Sequence, residues 1–442
     1  MINSALIENY ISNINVFLWS TPIVCFIIAS GLLLTYAFTG VQFKYFFSSW
    51  GLIFSKTNMS QSQKGNVISP LQAFINALSA SLGNGGLAGM ATVLVDGGPG
   101  TFFWVFILGF IGMVIRFAEV YAATTVTSSN NKLKGALAYI SKLPFGMMWV
   151  YVYAFIMLMF IFSAGFAMQA NSIGQAVERM TGFDVMHIGI GLAVIVLYII
   201  MGGASRIMKA AEIIIPIKVF SFFVGLIALF IYHYTAIIPA LNLVFANAFN
   251  LNSLATGATI FTMQQAITVG FARGMNATEA GLGTAAIFFG SSDVKDSKKA
   301  ALMSMVSAFI ATNMVCAMLI LGIIVSGVDV QGLNGTKLVI AAFETISGRY
   351  AAPAITFLSI SFGLGVLVAY AFLAAKMWEF VFSKSTIWLC NILLVLVTFL
   401  GSLSSVGLVW KSIDLLVGLL VIINVSGLLW NIPFLKKKYA SN

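Results

Sequence analysis

Eleven stretches of this sequence are apolar over lengths that can cross a membrane, and they limit the fold more than any other feature. A helix needs about 20 apolar residues to cross the hydrocarbon core, where every backbone N–H and C=O must find a partner within the protein. Such stretches therefore predict helices. They comprise residues 16–38, 71–95, 101–126, 147–177, 185–201, 210–232, 253–272, 300–325, 353–380, 387–403 and 408–430.

The composition agrees with this interpretation. The 442 residues are 60% hydrophobic and 8% charged, which is unlike a soluble domain. We therefore predict an all-α polytopic membrane protein with eleven transmembrane helices. A shorter amphipathic stretch, residues 337–346, predicts a helix too short to cross.

Lysine and arginine are distributed unequally between the predicted loops. With the N-terminus outside, the inner loops hold Lys44, Lys56, Lys64, Lys132, Lys134, Lys142, Arg206, Lys209, Arg273, Lys295, Lys298, Lys299, Lys376, Lys384, Lys436, Lys437 and Lys438. The outer loops hold Arg179, Lys337, Arg349 and Lys411. Because cytoplasmic loops are the basic ones, we expect a multi-pass protein of a bacterial inner membrane with a cytoplasmic C-terminus. Arg116 and Lys218 remain, inside predicted helices.

Several functional classes are disfavoured. The net charge of +10 is explained by loops next to anionic lipid, without nucleic acid. The cysteines and histidines form no metal-binding or catalytic motif, and no ATP-binding motif is present, so we expect neither an enzyme nor a cofactor. These residues are Cys25, Cys316, Cys390, His187 and His233.

The second apolar stretch contains Gly83, Gly85, Gly86 and Gly89 within about two helical turns. Glycine destabilises a helix by about 1 kcal/mol relative to alanine, so the cluster predicts a local break. Close helix packing through small residues is the alternative. A break frees N–H groups that suit a carboxylate and carbonyls that suit Na⁺ or an ammonium group.

Two sets of candidate residues follow from this break. Substrate-binding candidates on the second helix are Gly83, Asn84, Gly85 and Gly86, and cation-binding candidates are Ala80 and Gly83. Asn84 either contacts the substrate or caps the second half of the helix.

The seventh stretch is also interrupted by glycine and lies five helices after the second. Setting the first helix aside leaves five plus five, and because five is odd the two halves must have opposite orientations. Paired broken helices in inverted halves indicate a transport site at the middle of the membrane. The expected units are 1–66, an N-terminal helix with a basic linker; 67–235 and 236–435, the two repeats; and 436–442, a basic tail.

The seventh helix contributes further candidates for substrate binding. Phe261, Met263 and Gln264 are expected at its midpoint, facing the second helix, although Phe and Met are equally typical of core packing. The charged residues Arg116, Glu119, Arg273 and Glu279 are expected to pair with one another, either as a structural tether or as a cytoplasmic gate.

Three segments resemble a known family. ALSASLGNGGLAGMATVLVDGGPGTFFWVF from Ala77, GMVIRFAEVYAA from Gly112 and GFARGMNATEAGLGTAAI from Gly270 resemble signatures of the alanine or glycine:cation symporters, also called sodium:alanine symporters. Residues 169–172 and 202–207 match as well, and the resemblance covers about residues 71–317.

The resemblance implies a sodium-coupled importer of a small neutral, alanine- or glycine-like amino acid. It also implies eleven helices, ten of them in a LeuT-type 5+5 inverted repeat after one extra helix. The chain is then expected to act as a monomer. By the same resemblance Tyr370 closes the side-chain pocket, Val366 lies at the cation site, and Gln169 and Thr312 support the site.

The sequence departs from the family where hydroxyl groups would help to coordinate sodium. Gly-Thr-Gly-Asn is replaced by Gly83-Asn84-Gly85-Gly86, an Asp-Thr pair by Ala311-Thr312, and a hydroxyl pair in the ninth helix by Gly365-Val366. Proton-coupled or uncoupled amino-acid transport, or a sensor or channel on the same scaffold, are therefore the alternatives.

Overall fold

The computed structural model describes residues 4–53, 69–126, 133–201, 204–249 and 262–441, and only the backbone of residues 4–6 and 204–216. These ranges contain helices and no strand. The helices are α1 (Ser4–Leu18), α2 (Thr21–Ala37), α3 (Val41–Lys44), α4 (Phe46–Ile53), α5 (Pro70–Ser81), α6 (Asn84–Gly97), α7 (Thr101–Thr125), α8 (Ala136–Ile140), α9 (Gly146–Phe160), α10 (Met168–Thr181), α11 (Val185–Met201), α12 (Ala204–Tyr232), α13 (Ile237–Ala248), α14 (Met263–Thr278), α15 (Thr284–Gly290), α16 (Ser297–Phe309), α17 (Met318–Ser326), α18 (Gly335–Ser347), α19 (Ala351–Val381), α20 (Ile387–Leu403), α21 (Val406–Trp430) and α22 (Ile432–Ala440).

In two places, a π-helical segment joins consecutive helices into one continuous helix. A π-helical segment, Ile161–Ala167, joins α9 to α10, and another, Ile310–Ala317, joins α16 to α17. Seven helical segments in the described ranges are long and apolar enough to cross a membrane, and nine if each of two bent pairs counts as one crossing. The bent pairs are α1 with α2, at 50°, and α12 with α13, at 78°.

The predicted count of eleven is therefore reached only in part. α11 has 17 residues, or about 26 Å of helix, slightly less than the hydrocarbon thickness of about 30 Å. The first nine residues of the predicted seventh helix, 253–261, lie outside the described ranges, and its remainder falls at the start of α14. The short helix predicted over 337–346 is confirmed as part of α18.

The segment formed by α5 and α6 lies at the centre of the bundle. It is almost completely enclosed, packing against α14, α15, α16, α18 and α19. Its start is well defined, because Ser69 and Gln72 form a reciprocal capping box before α5. The outer helices, by contrast, expose large apolar side chains such as Tyr198, Phe220 and Leu400, a surface that suits lipid.

Candidate functional site

The first broken helix consists of α5 and α6, which are separated by Leu82 and Gly83 (the first break). Gly83 is extended, with φ −103° and ψ −171°. A Cβ atom at Gly83 would lie 2.5 Å from Cγ2 of Val366 and 3.1 Å from Nε2 of Gln169. A larger residue at this position would therefore push apart the two helices that flank the break.

The remaining glycines of the cluster lie inside α6 and serve close packing. A Cβ atom at Gly89 would lie 2.6 Å from the ring of Trp410, and one at Gly86 would lie 3.4 Å from Sγ of Cys316. Small residues at these positions let α21 and the π-helical segment before α17 approach the backbone. Both interpretations of the cluster thus apply, one to Gly83 and the other to its neighbours.

Asn84, the first residue of α6, connects the first break to two neighbouring helices. Its backbone N–H donates to Oε1 of Gln169 at 3.1 Å, and Nε2 of Gln169 donates to the carbonyl of Ala164 at 2.9 Å. Its side chain donates to the carbonyl of Ser359 at 3.1 Å and accepts the Ser359 hydroxyl at 2.9 Å. Asn84 therefore ties α6 to α19, since both of these side-chain hydrogen bonds go to Ser359 and neither caps α6.

The second broken helix consists of α14 and α15, separated by residues 279–283 (the second break). Glu279, Gly281 and Gly283 have φ values of 51°, 88° and 85°, in the left-handed region that ends helices. The earlier glycines do not interrupt α14. A Cβ atom at Gly270 would contact Trp104, and one at Gly274 would contact Leu108, so both serve packing against α7.

This position of the second break corrects the midpoint predicted for the seventh helix. Met263 and Gln264 lie at the start of α14, far along the helix from the break, and Gln264 is exposed. The prediction was misplaced because the apolar stretch ends near Ala272, whereas the helix continues through polar residues to Thr278. Phe261 lies outside the described residues.

Buried side chains bind the backbone groups that the second break leaves free. Oε1 of Glu119 accepts the N–H of Gly283 at 2.8 Å, Nδ2 of Asn424 donates to the carbonyl of Gly281 at 2.9 Å, and the Tyr153 hydroxyl donates to the carbonyl of residue 282 at 2.7 Å. Asn424 also donates to Glu119 at 2.7 Å. Asn424 and Tyr153 were missed, although a buried amide inside an apolar helix is itself a signal.

The two broken helices run in opposite directions and meet at their breaks. At one end, Nε2 of Gln265 on α14 donates to the carbonyl of Asp96 on α6 at 2.9 Å. At the other, the Ser81 hydroxyl donates to the carbonyl of Thr278 at 3.3 Å. Arg116 lies at this meeting point and donates to both the Ser81 hydroxyl, at 3.1 Å, and the Thr278 carbonyl.

Arg116 is brought together with two of its predicted partners. Glu119 and Glu279 are both fully or almost fully buried and interact electrostatically with the Arg116 guanidinium, although no ion pair forms. Glu279 accepts the Thr284 hydroxyl at 2.7 Å and the Tyr370 hydroxyl. The carboxylates therefore bind the second break and α19 directly, with Arg116 between the breaks.

Arg273 does not join this cluster, which corrects both its predicted pairing and its placement in an inner loop. It is buried in α14, where it pairs with Asp414 at 2.8 Å and Asp96 at 3.4 Å and lies 5.0 Å from the centre of the Trp410 ring. Arg273 and Glu279 are six residues apart, about 9 Å along a helix. The charge of Arg273 ended the apolar stretch in the sequence, and its acidic partners on α6 and α21 lie too far away in the chain to be recognised there.

A small cavity of about 10 Å³ lies between the two breaks. A volume of this size holds about one water molecule. The residues that line it come from both broken helices, from the π-helical segment Ile161–Ala167, from α10 and from α19. They are Ala80, Ser81, Gly83, Gly85, Ala164, Met168, Gln169, Asn276, Ala277, Glu279, Val366 and Tyr370.

Five of the ten predicted substrate and cation residues converge on this cavity, namely Ala80, Gly83, Gly85, Val366 and Tyr370. Asn84 bonds to α19 instead, and Met263 and Gln264 lie at the end of α14 that is far from the cavity. Gly86 packs against the π-helical segment before α17. Thr312 is buried in that π-helical segment, where its hydroxyl finds no hydrogen-bond partner among the described residues. Met168, Asn276 and Ala277 were not predicted.

A larger open cleft of about 460 Å³ lies next to Arg273. Asp96, Gln264, Arg273 and Asp414 are among the residues that line it. Arg273 and Ala277 are separated by one turn of α14, about 6 Å, and Ala277 lines the cavity. The cluster of Arg273 with its two aspartates thus lies between the open cleft and the cavity.

Several known proteins are similar to this chain in sequence. A sequence model of the sodium:alanine symporter family matches residues 4–440. The sodium/alanine symporter AgcS of Methanococcus maripaludis is 32% identical over 431 residues, which cover 95% of this chain and 93% of that protein. The amino-acid carrier protein AlsT of Bacillus subtilis is 27% identical over 94% of this chain and 88% of its own length. YaaJ of Escherichia coli, an uncharacterized transporter, is 28% identical over 95% and 90%.

Proposed function

The chain belongs to the sodium:alanine symporter family, and we propose that it carries a small neutral amino acid across the membrane together with a cation. Members of this family are transporters and not enzymes, and the apolar helices make the chain a multi-pass membrane protein. In the proposed mechanism, alternating access takes place around the two broken helices.

The observation that carries this proposal is the meeting of two antiparallel broken helices at a buried cavity. Broken helices of this kind place helix ends and free peptide groups where a polar substrate can bind inside the membrane. The opposite directions of the two helices support the inverted 5+5 repeat of the LeuT type. The proposed eleven crossings are the seven long segments, the two bent pairs, α11 and the second broken helix.

The chemistry of the cavity suits a zwitterion. The positive end of α6, at Gly83 and Gly85, suits the substrate carboxylate. The Glu279 carboxylate and the Asn276 side chain suit its ammonium group. Ala164, Met168 and Val366 leave little room for a side chain, which favours alanine or glycine over larger amino acids.

The cavity is too small for an amino acid while Tyr370 bonds to Glu279. Binding therefore requires Tyr370 and Glu279 to separate, or the broken helices to move outward from α19. The cleft beside Arg273 is the proposed entrance from the outer side, with the N-terminus outside and the C-terminus in the cytoplasm of a bacterial cell. We propose that one chain forms the complete pathway.

The experiment that tests this function is uptake by the purified protein in proteoliposomes. Vesicles preloaded with unlabelled alanine should exchange it for labelled alanine in a saturable way, and external glycine should compete. A gradient of Na⁺ or of protons that raises uptake then identifies the coupled cation. The matched control is Glu279→Gln, which keeps the shape of the site and should lower exchange at least 10-fold.

The absence of exchange for alanine, glycine and other small neutral amino acids would contradict the proposal. Equal exchange by the wild-type protein and Glu279→Gln would remove Glu279 from the substrate site and leave transport itself intact.

A further inference from the structure

Lys218 is the one basic residue that neither the predicted loops nor the charged clusters account for. It lies in α12, is fully buried, and its Nζ donates to the carbonyl of Leu82 at 3.0 Å. Leu82 is the first residue of the first break, where the helix has released its carbonyls. The ring of Phe362 on α19 covers the ammonium group at 5.0 Å. The ammonium group of Lys218 thus binds directly to the backbone of the first break.

Two further groups converge on the same point. A Cβ atom at Gly365 would lie 2.6 Å from Nζ of Lys218 and 2.8 Å from Oγ of Ser79. The Ser79 hydroxyl is buried, and it has no hydrogen-bond partner within the described part of the chain. A carbonyl of the first break, a serine hydroxyl of α5 and the backbone of α19 therefore surround one small volume, which Nζ occupies.

The surroundings of Lys218 are typical of a site for a monovalent cation. Among the described residues, no acidic side chain forms a salt bridge with Nζ, whose hydrogen bond goes to the carbonyl of Leu82. A buried charge needs compensation, and here a carbonyl dipole and an aromatic face supply it. Carbonyls at the ends of broken helices are the groups that coordinate Na⁺ in such transporters.

The sequence explains how the ammonium group fits. Gly365 has no side chain, and any Cβ atom at this position would collide with Nζ. Lys218 and Gly365 are therefore complementary, since the lysine fills the space that the glycine leaves. Val366, a predicted cation-site residue, is the next residue of α19 and contacts the first break at Gly83.

We propose that the ammonium group of Lys218 occupies a cation position between the first break and α19, so that transport by this chain needs no Na⁺ there. This inference rests on the proposed function and specifies its cation requirement. A free cation and the tethered ammonium group cannot share this volume, because like charges at such short distance repel strongly. Lys218 thus takes the structural role of an ion while remaining attached to the protein.

The first test measures alanine exchange by wild-type proteoliposomes in Na⁺ buffer and in K⁺ buffer of equal ionic strength. We expect rates that agree within about twofold. A rate at least 10-fold lower in K⁺, restored by Na⁺ in a saturable way, would overturn the inference while leaving amino-acid transport established. If no exchange is seen in either buffer, the proposed function fails and the second test decides the inference alone.

The second test measures thermal unfolding of the protein in detergent, in Na⁺ and in K⁺. The wild-type protein should unfold at the same temperature in both. Lys218→Met frees the carbonyl and the hydroxyl, and Lys218→Met with Gly365→Ser adds a second hydroxyl. The unfolding temperature should be higher in Na⁺ than in K⁺ for one or both of these variants, and for the double variant in any case.

Lys376→Met is the matched control. Lys376 also lies over a phenylalanine of α19, with Nζ 5.5 Å from the centre of the Phe372 ring, but it is ten residues, about 15 Å of helix, beyond Val366. This variant should respond like the wild-type protein. A stabilisation by Na⁺ in the wild-type protein that persists in Lys218→Met, or the absence of a Na⁺ effect in both Lys218 variants, would overturn the inference.

Discussion

Gly83 leaves space at the first break that no other residue type would leave. It lies in the first break, and its missing side chain lets Val366 and Gln169 contact the backbone from two sides. Gln169 then holds the N–H of Asn84, which starts the second half of the helix. The geometry of the break therefore depends on one missing methyl group.

Gly83→Ala should lower alanine exchange at least 10-fold, because its Cβ atom would lie 2.5 Å from Val366 in a packed interior. The measurement is exchange in proteoliposomes at equal amounts of folded protein. Gly191→Ala on α11 is the control, since a Cβ atom there meets nothing within 4 Å. Unchanged exchange by Gly83→Ala would show that the first break tolerates a side chain.

At the scale of the element, the second break is held open by other helices. Five consecutive residues are non-helical, and their backbone groups bond to Glu119 of α7, Tyr153 of α9 and Asn424 of α21. Asn424 has the largest share, because it binds the carbonyl of Gly281 and the Glu119 carboxylate and accepts the Tyr139 hydroxyl. These side chains replace the hydrogen bonds that a continuous helix would have made.

Asn424→Leu should destabilise the protein by about 2 kcal/mol or more, since it takes the buried partner away from the Gly281 carbonyl and the Tyr139 hydroxyl and removes one hydrogen bond from the Glu119 carboxylate. Thermal unfolding in detergent measures this effect as a lowered midpoint. Asn247→Leu is the control, because Asn247 is only half-buried and its side chain donates to a carbonyl of its own helix, at 2.8 Å. Equal midpoints for the two variants would show that the second break is stable without Asn424.

At the scale of the whole molecule, two layers of polar contacts close the cavity from opposite ends. One layer joins Arg273 to Asp96 and Asp414 beside the open cleft. The other joins Arg116 to Ser81 and Thr278, where the breaks meet. Because the broken helices contribute to both layers, opening one layer while the other stays closed would give access from one side at a time.

Arg273→Gln should open the layer beside the cleft, because it leaves two acidic groups without their cation. Ala277→Cys places a thiol in the cavity one turn further along α14, in a protein whose exposed Cys25 is replaced by serine. A membrane-impermeant thiol reagent should then label the thiol at position 277 at least 10-fold faster when Arg273→Gln is added than when Arg273 is retained.

Arg179→Gln is the control for this experiment. Arg179 pairs with Glu344 at 3.6 Å on the surface, and such pairs contribute little. The labelling rate should stay unchanged in this variant. If Arg273→Gln also left the labelling rate unchanged, the ion pairs of Arg273 would not be what closes the cavity.

Much of the architecture could be predicted because it follows from local pattern. Apolar length indicated the crossing helices, and the glycine cluster indicated the first break, with Gly83, Gly85 and Ala80 at the cavity. The second break was placed too early, since Gly270 and Gly274 look like helix breakers in sequence but serve packing against α7. A glycine's role depends on what lies opposite it, which one stretch of sequence does not contain.

By itself, the sequence determined that the chain forms apolar helices, that one of them breaks near Gly83, and that Arg116 and Lys218 are charges inside helices. These properties follow from the solvation of each segment, which its own residues set. Only the tertiary structure decided which groups these side chains bind. Arg273 pairs with Asp96 and Asp414 instead of Glu279. Asn84 binds Ser359, and Lys218 binds the carbonyl of Leu82. These pairs join residues far apart in the chain, and a buried charge or amide binds whichever group the packed helices bring within reach.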